Sequence, residues 1–201
     1  MISDAYVGDV TCVEMFMFSG DDARVTSMLA GVGASLHWSS SRARSDGVDD
    51  DITAAAPSGV MRKRACARVF NDARIHGVRD LLSGDRAVCW GERRVGVTRA
   101  TATAGGGWAL RVEQPFAPFA SWIHDIRRLS GESDLCIAIG LSDNTVERWC
   151  SMDDGQTWIR TARTQCESKC LLYTLALGGG EHWDDLIIAA GTIFNEIQVW
   201  G

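Results

Sequence analysis

Apolar residues in this chain recur mostly at every second position, which is the period of a strand with one covered face. Val10-Thr-Cys-Val-Glu-Met-Phe-Met-Phe18 is a β-branched and aromatic run closed by the loop signal Ser19-Gly20-Asp21-Asp22. Short strands are predicted over 25–31 and 34–38, then again at Arg68-Val-Phe70, over 74–82, 85–90, 93–97 and 108–113. Later strands are predicted over 122–129, 134–140, 145–149, 158–161, 170–177, 186–191 and 196–200. Between them, residues 39–64 have no periodic apolar face and read Ser-Ser-Ser-Arg-Ala-Arg before an Asp49-Asp50-Asp51 run, the composition of a solvated insertion. No amphipathic helix longer than two turns is present in the pattern. The expected class is all-β.

An internal repeat narrows this class. Met28-Leu-Ala-Gly-Val-Gly-Ala-Ser-Leu-His-Trp38, Ile137-Ala-Ile-Gly-Leu-Ser-Asp-Asn-Thr-Val-Glu-Arg-Trp149 and Ile188-Ala-Ala-Gly-Thr-Ile-Phe-Asn-Glu-Ile-Gln-Val-Trp200 share one grammar. Each is a strand of small residues ending in Gly, a tight turn, and a strand ending in Trp. Ala87-Val-Cys-Trp-Gly-Glu-Arg-Arg-Val-Gly-Val97 is a weaker copy. The spacing is about fifty residues, near the period of WD repeats with loop insertions. Small residues suit crowded strands near a propeller axis, Asp143-Asn144 suits a turn needing positive φ, and each terminal Trp suits a wedge between blades. The expectation is a WD40-type β-propeller, partial, of roughly four blades with the last incomplete and the ring not closed by this chain alone. Its parts are first-blade strands over 1–38, a charged flexible insertion over 39–67 and further blades over 68–201; a plain β-sandwich is the alternative.

Several ordered segments go beyond blade grammar. Tyr6-Val-Gly-Asp-Val-Thr-Cys-Val13, Arg74-Ile-His-Gly77, Ser121-Trp-Ile-His-Asp-Ile-Arg127, Cys170-Leu-Leu-Tyr173 and Ala189-Ala-Gly-Thr-Ile-Phe-Asn-Glu196 follow one another. Together they resemble the N-terminal part of the WD repeat-containing protein 6 family, over almost the whole chain apart from 39–64. That resemblance implies the non-catalytic subunit of a tRNA 2′-O-ribose methyltransferase acting on the anticodon wobble nucleotide. It would bind a small Rossmann-like catalytic subunit, which holds the S-adenosylmethionine site, and would reach tRNA through the complex. Family members are several times longer, which implies a fragment, a truncated gene model or a split gene, with uncovered blade faces at its ends.

Composition removes other classes. The 201 residues carry a net charge of −6, which argues against a basic surface gripping nucleic acid broadly. No apolar run approaches the roughly 18 residues that span a bilayer, and Met1-Ile2-Ser3-Asp4-Ala5-Tyr6 lacks the basic start and apolar core of a secretory signal. Seven cysteines without framework spacing point to a reducing compartment, hence the cytoplasm, with Cys136 and Cys170 packing as small hydrophobes.

Candidate chemistry is sparse. His124-Asp125 lacks a Gly-x-Ser-x-Gly partner, and strand neighbours point to opposite faces, so a structural hydrogen bond is expected there. Cys150, Cys166, Cys170 and His182 lack the paired spacing of a zinc site. Gly105-Gly106-Gly107 and Gly178-Gly179-Gly180 precede no helix and are not phosphate loops. The triple aspartate is read as solubilising, and Arg62-Lys63-Arg64 with Arg68 as a solvated basic cluster. Candidate interaction residues are Arg74 and His76, where Gly77 permits close backbone approach, and Arg93 and Arg94 in a second basic cluster. No catalytic residue, metal, cofactor or membrane contact is expected. The rival to the methyltransferase scaffold is a general WD-repeat adaptor, such as a ubiquitin-ligase or trafficking scaffold.

Overall fold

In the computed structural model, residues 10–20, 23–44, 61–82, 86–132, 134–167 and 172–201 are described. Fifteen strands occur among them, with one 3-10 turn at Trp183–Asp185. Sheet 1 holds β1 (Val10–Gly20), β2 (Ala23–Val32), β3 (Ser35–Arg44) and β4 (Met61–Arg68). Sheet 2 holds β5 (Gly77–Leu82), β6 (Arg86–Gly91), β7 (Arg94–Ala102) and β8 (Trp108–Glu113). Sheet 3 holds β9 (Ile123–Leu129), β10 (Leu135–Leu141), β11 (Thr145–Ser151) and β12 (Ile159–Gln165). Sheet 4 holds β13 (Leu172–Gly179), β14 (Leu186–Thr192) and β15 (Ile197–Trp200). Every sheet is an antiparallel meander, and the first strands β1, β5, β9 and β13 meet one another in succession. The chain is therefore a row of propeller blades, each joined to the next by its innermost strand.

The turn between second and third strands is the same device four times. Gly33, Glu92, Asn144 and Asn195 occupy it with φ of 57°, 46°, 63° and 61°. Gly and Asn tolerate this left-handed region, as the Asp143-Asn144 pattern predicts. Glu92 does not follow the residue code, and its backbone is fixed from outside: its carbonyl accepts from Ile123 N at 2.6 Å.

Three apolar layers fill the gaps between sheets. Leu29, Leu36 and Trp38 meet Val78, Ala87 and Cys89 between sheets 1 and 2. Val88, Trp90 and Val97 meet Ile126, Ile137 and Ile139 between sheets 2 and 3, with Trp149 and Trp158 in the same layer. Leu129, Ala138 and Val146 meet Leu175, Leu177 and Ile188 between sheets 3 and 4. Burying such side chains is worth about 1.5–3 kcal/mol each, so the layers dominate cohesion.

Some expectations need correction. The small residues of the repeat lie on second strands, not innermost ones. Their role is to admit the next sheet: a Cβ on Gly140 would run into Leu175 of sheet 4. The segment expected as a flexible insertion over 39–67 includes strand at both ends, because β3 continues to Arg44 and β4 begins at Met61; residues 45–60, with the aspartate triplet, lie outside the described residues. Arg68-Val-Phe70 is the end of β4 and a loop, where Val69 N donates to Ala34 O. Cys136 is not a free apolar thiol but forms a disulfide with Cys150, its register partner across β10 and β11. Cys12, Cys66, Cys89 and Cys166 are free, while Cys170 lies outside the described residues.

Candidate functional site

In a four-stranded meander, the turn between the second and third strands and the link leading to the next sheet lie at the same end. Arg74 and His76 stand on the link between β4 and β5, and Arg93 and Arg94 stand at the β6–β7 turn. The structure brings all four to one rim between sheets 2 and 3. The reasons are local. His76 N donates to Trp90 O at 2.7 Å, and a Cβ on Gly91 would collide with the Arg74 carbonyl, so these backbones press together. Gly77 has the same role, lying under the Trp90 ring.

The link from β8 to β9 completes the rim. Phe119 N donates to Arg93 O at 2.8 Å, and Ile123 N donates to Glu92 O. Trp122 is held between them. Its N–H donates to Ser142 Oγ at 3.0 Å and its carbonyl accepts from Ser142 N at 2.8 Å. Trp122 remains 52% exposed, and its indole stands beside the ring of the exposed His76, centroids 6.2 Å apart and planes tilted by 42°. His76 Nδ1 also accepts from Glu92 N at 3.4 Å.

The charges divide unequally. Arg94 pairs with Asp72 at 2.9 Å, which neutralises it. Arg74 and Arg93 are exposed and make no ion pair with a described residue. Sequence reading named the arginines and His76; it missed Trp122 as a surface group, because whether a Trp near a strand start is core or rim depends on the adjoining sheet.

Other charged groups bind sheets together. Arg79 of β5 reaches Glu14 of β1 at 3.7 Å and Asp125 of β9 at 3.5 Å. Asp125 accepts from Ile126 N and from Leu177 N of β13, each at 2.9 Å, so the expected structural hydrogen bond exists but joins sheets. Burial pushes the Asp125 and Glu14 carboxyls above their ordinary range, against the pull of Arg79. Burial lowers His124, whose Nε2 has no hydrogen-bond partner. At the opposite end, the β11–β12 turn aims Asp154 at Arg86 and Arg99 of sheet 2, with Arg86 Nη2 donating to Asp154 Oδ2 at 2.6 Å. Nothing in simple spacing marked this clasp.

Among the described residues, a cysteine–histidine contact joins Cys66 Sγ to His37 Nε2 at 3.4 Å across β3 and β4. Burial raises the thiol and lowers the imidazole, so both favour their neutral forms. That is a hydrogen bond between strands and a poor nucleophile–base pair. Cys150 is spent in the disulfide, His182 is exposed beside Gly131, and no three metal-binding side chains cluster among the described residues.

No protein-family model and no curated protein matches the chain. Solved structures do match. BBS1N in complex with ARL6DN aligns with 11% identity and a TM-score of 0.51, covering 100% of this chain and 52% of that one. A humanized mutant of the Chaetomium thermophilum Polycomb Repressive Complex 2 aligns with 15% identity and a TM-score of 0.54, covering 98% of this chain and 40% of that one. The chain has a WD-type, all-β partial propeller fold. It spans about half or less of the length of these structures. At such low identity the likeness is one of fold. No helix among the described residues is long and apolar enough to cross a membrane.

Proposed function

We propose that this chain is a non-catalytic WD-repeat platform of a tRNA 2′-O-ribose methyltransferase acting on the anticodon wobble nucleotide. One observation carries the reading. Parts of three family-like segments, far apart in sequence, lie at the same end of successive sheets. Arg74-Ile-His-Gly77 leads into sheet 2, Ser121-Trp122 leads into sheet 3, and Thr192-Ile-Phe-Asn-Glu196 forms the β14–β15 turn of sheet 4. The meander topology gives these links and turns a common end, and that end offers a partner one continuous surface. The weak Cys66–His37 pair and the inter-sheet use of Asp125 support a platform role, with the methyl-transfer chemistry in a separate subunit.

Affinity purification of the chain from its own cells should recover a methyltransferase subunit. Deleting its gene should lower 2′-O-methylation at the wobble position of tRNA. Unchanged wobble methylation in a clean deletion would remove the assignment. Recovery of ubiquitin-ligase or trafficking components in place of the methyltransferase would favour the adaptor reading.

A further inference from the structure

We propose that the rim formed by Arg74, His76, Arg93 and Trp122 is a docking site for an acidic peptide segment bearing an aliphatic or aromatic anchor. The inference deepens the platform reading, on which it rests for its biological setting, and it is measurable without that reading. Interfaces concentrate binding energy in a few tryptophan and arginine side chains, surrounded by weaker contacts. This rim has that make-up. Trp122 is fixed through its backbone to Ser142 yet remains half exposed, so it can bury apolar area with little ordering cost.

The guanidinium groups of Arg74 and Arg93 are free of ion pairs with described residues, unlike Arg94, and carboxylates would pair with them in charge-assisted contacts. At the same end, one sheet further on, Ile193 and Phe194 of the β14–β15 turn are exposed and offer more apolar surface. A nucleic-acid backbone fits less well. Two arginines without an ion pair among the described residues are few for a ladder of phosphates, whereas they suffice for one or two peptide carboxylates; the nearby Asp72 and Asp143 are already paired with Arg94 and Arg163.

The test is fluorescence anisotropy with the full 201-residue chain and labelled probes. These are a short peptide alternating glutamate with leucine, its lysine-for-glutamate counterpart and a single-stranded uridine oligonucleotide. The acidic peptide should bind, with affinity falling as salt rises, and should bind more tightly than either other probe. Trp122→Ala, and separately the pair Arg74→Glu with Arg93→Glu, should each weaken it by about tenfold or more. Arg94→Glu should weaken it less, because Asp72 already occupies Arg94. Circular dichroism establishes that each variant is folded, and Trp122→Phe, which keeps a ring, should retain most of the affinity. Absence of acidic-peptide binding, equal binding of the lysine peptide, or unchanged affinity in both the Trp122 and the double arginine variants overturns the proposal. Tighter binding of the oligonucleotide than of the acidic peptide also overturns it and makes the rim a nucleic-acid surface. If the peptide result holds while gene deletion leaves wobble methylation intact, only the methyltransferase assignment falls. Loss of peptide binding with methylation dependence retained removes only the rim.

Discussion

Sheets 3 and 4 carry the same strand grammar on the face that looks toward the next sheet, and they meet opposite fates. In register, Cys136, Ala138, Gly140, Val146 and Arg148 of sheet 3 correspond to Ile187, Ala189, Gly191, Ile197 and Val199 of sheet 4. Sheet 4 covers the first set, leaving Cys136 1% and Val146 0% exposed. The second set is more apolar yet lies open, with Ile187 at 45%, Ile197 at 77% and Val199 at 63%. Hydrophobic pattern therefore fixes which face can be buried, and the neighbouring sheet decides whether it is.

The disulfide gives the largest expected contrast. Cys136 and Cys150 are linked on sheet 3, whereas the equivalent positions on sheet 4 are Ile187 and Gly201, which no covalent bond can join. The bridge spans a sequence separation of 14 residues, a loop length for which chain entropy in the unfolded state supplies about 3 kcal/mol. Dithiothreitol should lower the urea midpoint of the wild-type chain accordingly. In the Cys136→Ser, Cys150→Ser double variant the midpoint should no longer respond to reductant. A wild-type midpoint indifferent to reductant would show that the hairpin does not depend on this bond.

A smaller effect separates the two faces directly. Val146→Ala removes buried atoms between sheets 3 and 4 and should cost about 1.5–3 kcal/mol. Ile197→Ala removes more atoms at the matching place on sheet 4, but from solvent, and should stay within about 0.5 kcal/mol. Urea titration of both variants measures the difference. Equal losses would mean that the sheet 4 face is covered in solution, and sedimentation would then show whether another copy covers it.

These contrasts bear on how much the sequence discloses. The repeat, the strand class and the tight turns were readable because Gly33, Asn144 and Asn195 announce a left-handed turn through their own residue type. Glu92 occupies the same position without such a signal, because the β8–β9 link holds it through Ile123. Arg74, His76 and Arg93 were readable as candidates through composition, yet their meeting with Trp122 requires two links from different sheets to converge. The Asp154 clasp and the Asp125 bond to Leu177 were hidden for a similar reason. Each joins residues about fifty positions or more apart, one blade period, and strand periodicity says nothing about which charge faces which across a sheet boundary.

The smallest expected effect lies in the outer hairpin of sheet 3, which has no counterpart on sheet 4 among the described residues. Asp153 in the β11–β12 turn accepts from Thr157 N and from Ser151 Oγ, each at 2.7 Å. The Thr157 bonds first, then that of Ser151, hold its carboxyl down at about 2 from an ordinary 3.8. A depressed folded-state value favours the ionised form, so its contribution is present above the ordinary value and is lost as pH falls through about 2. Because the group is solvent-exposed, the effect should be visible in its own titration more than in global stability. Carboxyl NMR should follow Asp153 titrating near 2 in the native chain and near the ordinary aspartate value in Ser151→Ala with Thr157→Pro, which removes both donors. Asp125 supplies the opposite sign on the same sheet: burial raises it, so it should protonate earlier as pH falls. If Asp153 titrates with the exposed aspartates in the native chain, the turn is open in solution and the Thr157 and Ser151 bonds do not hold its carboxylate there.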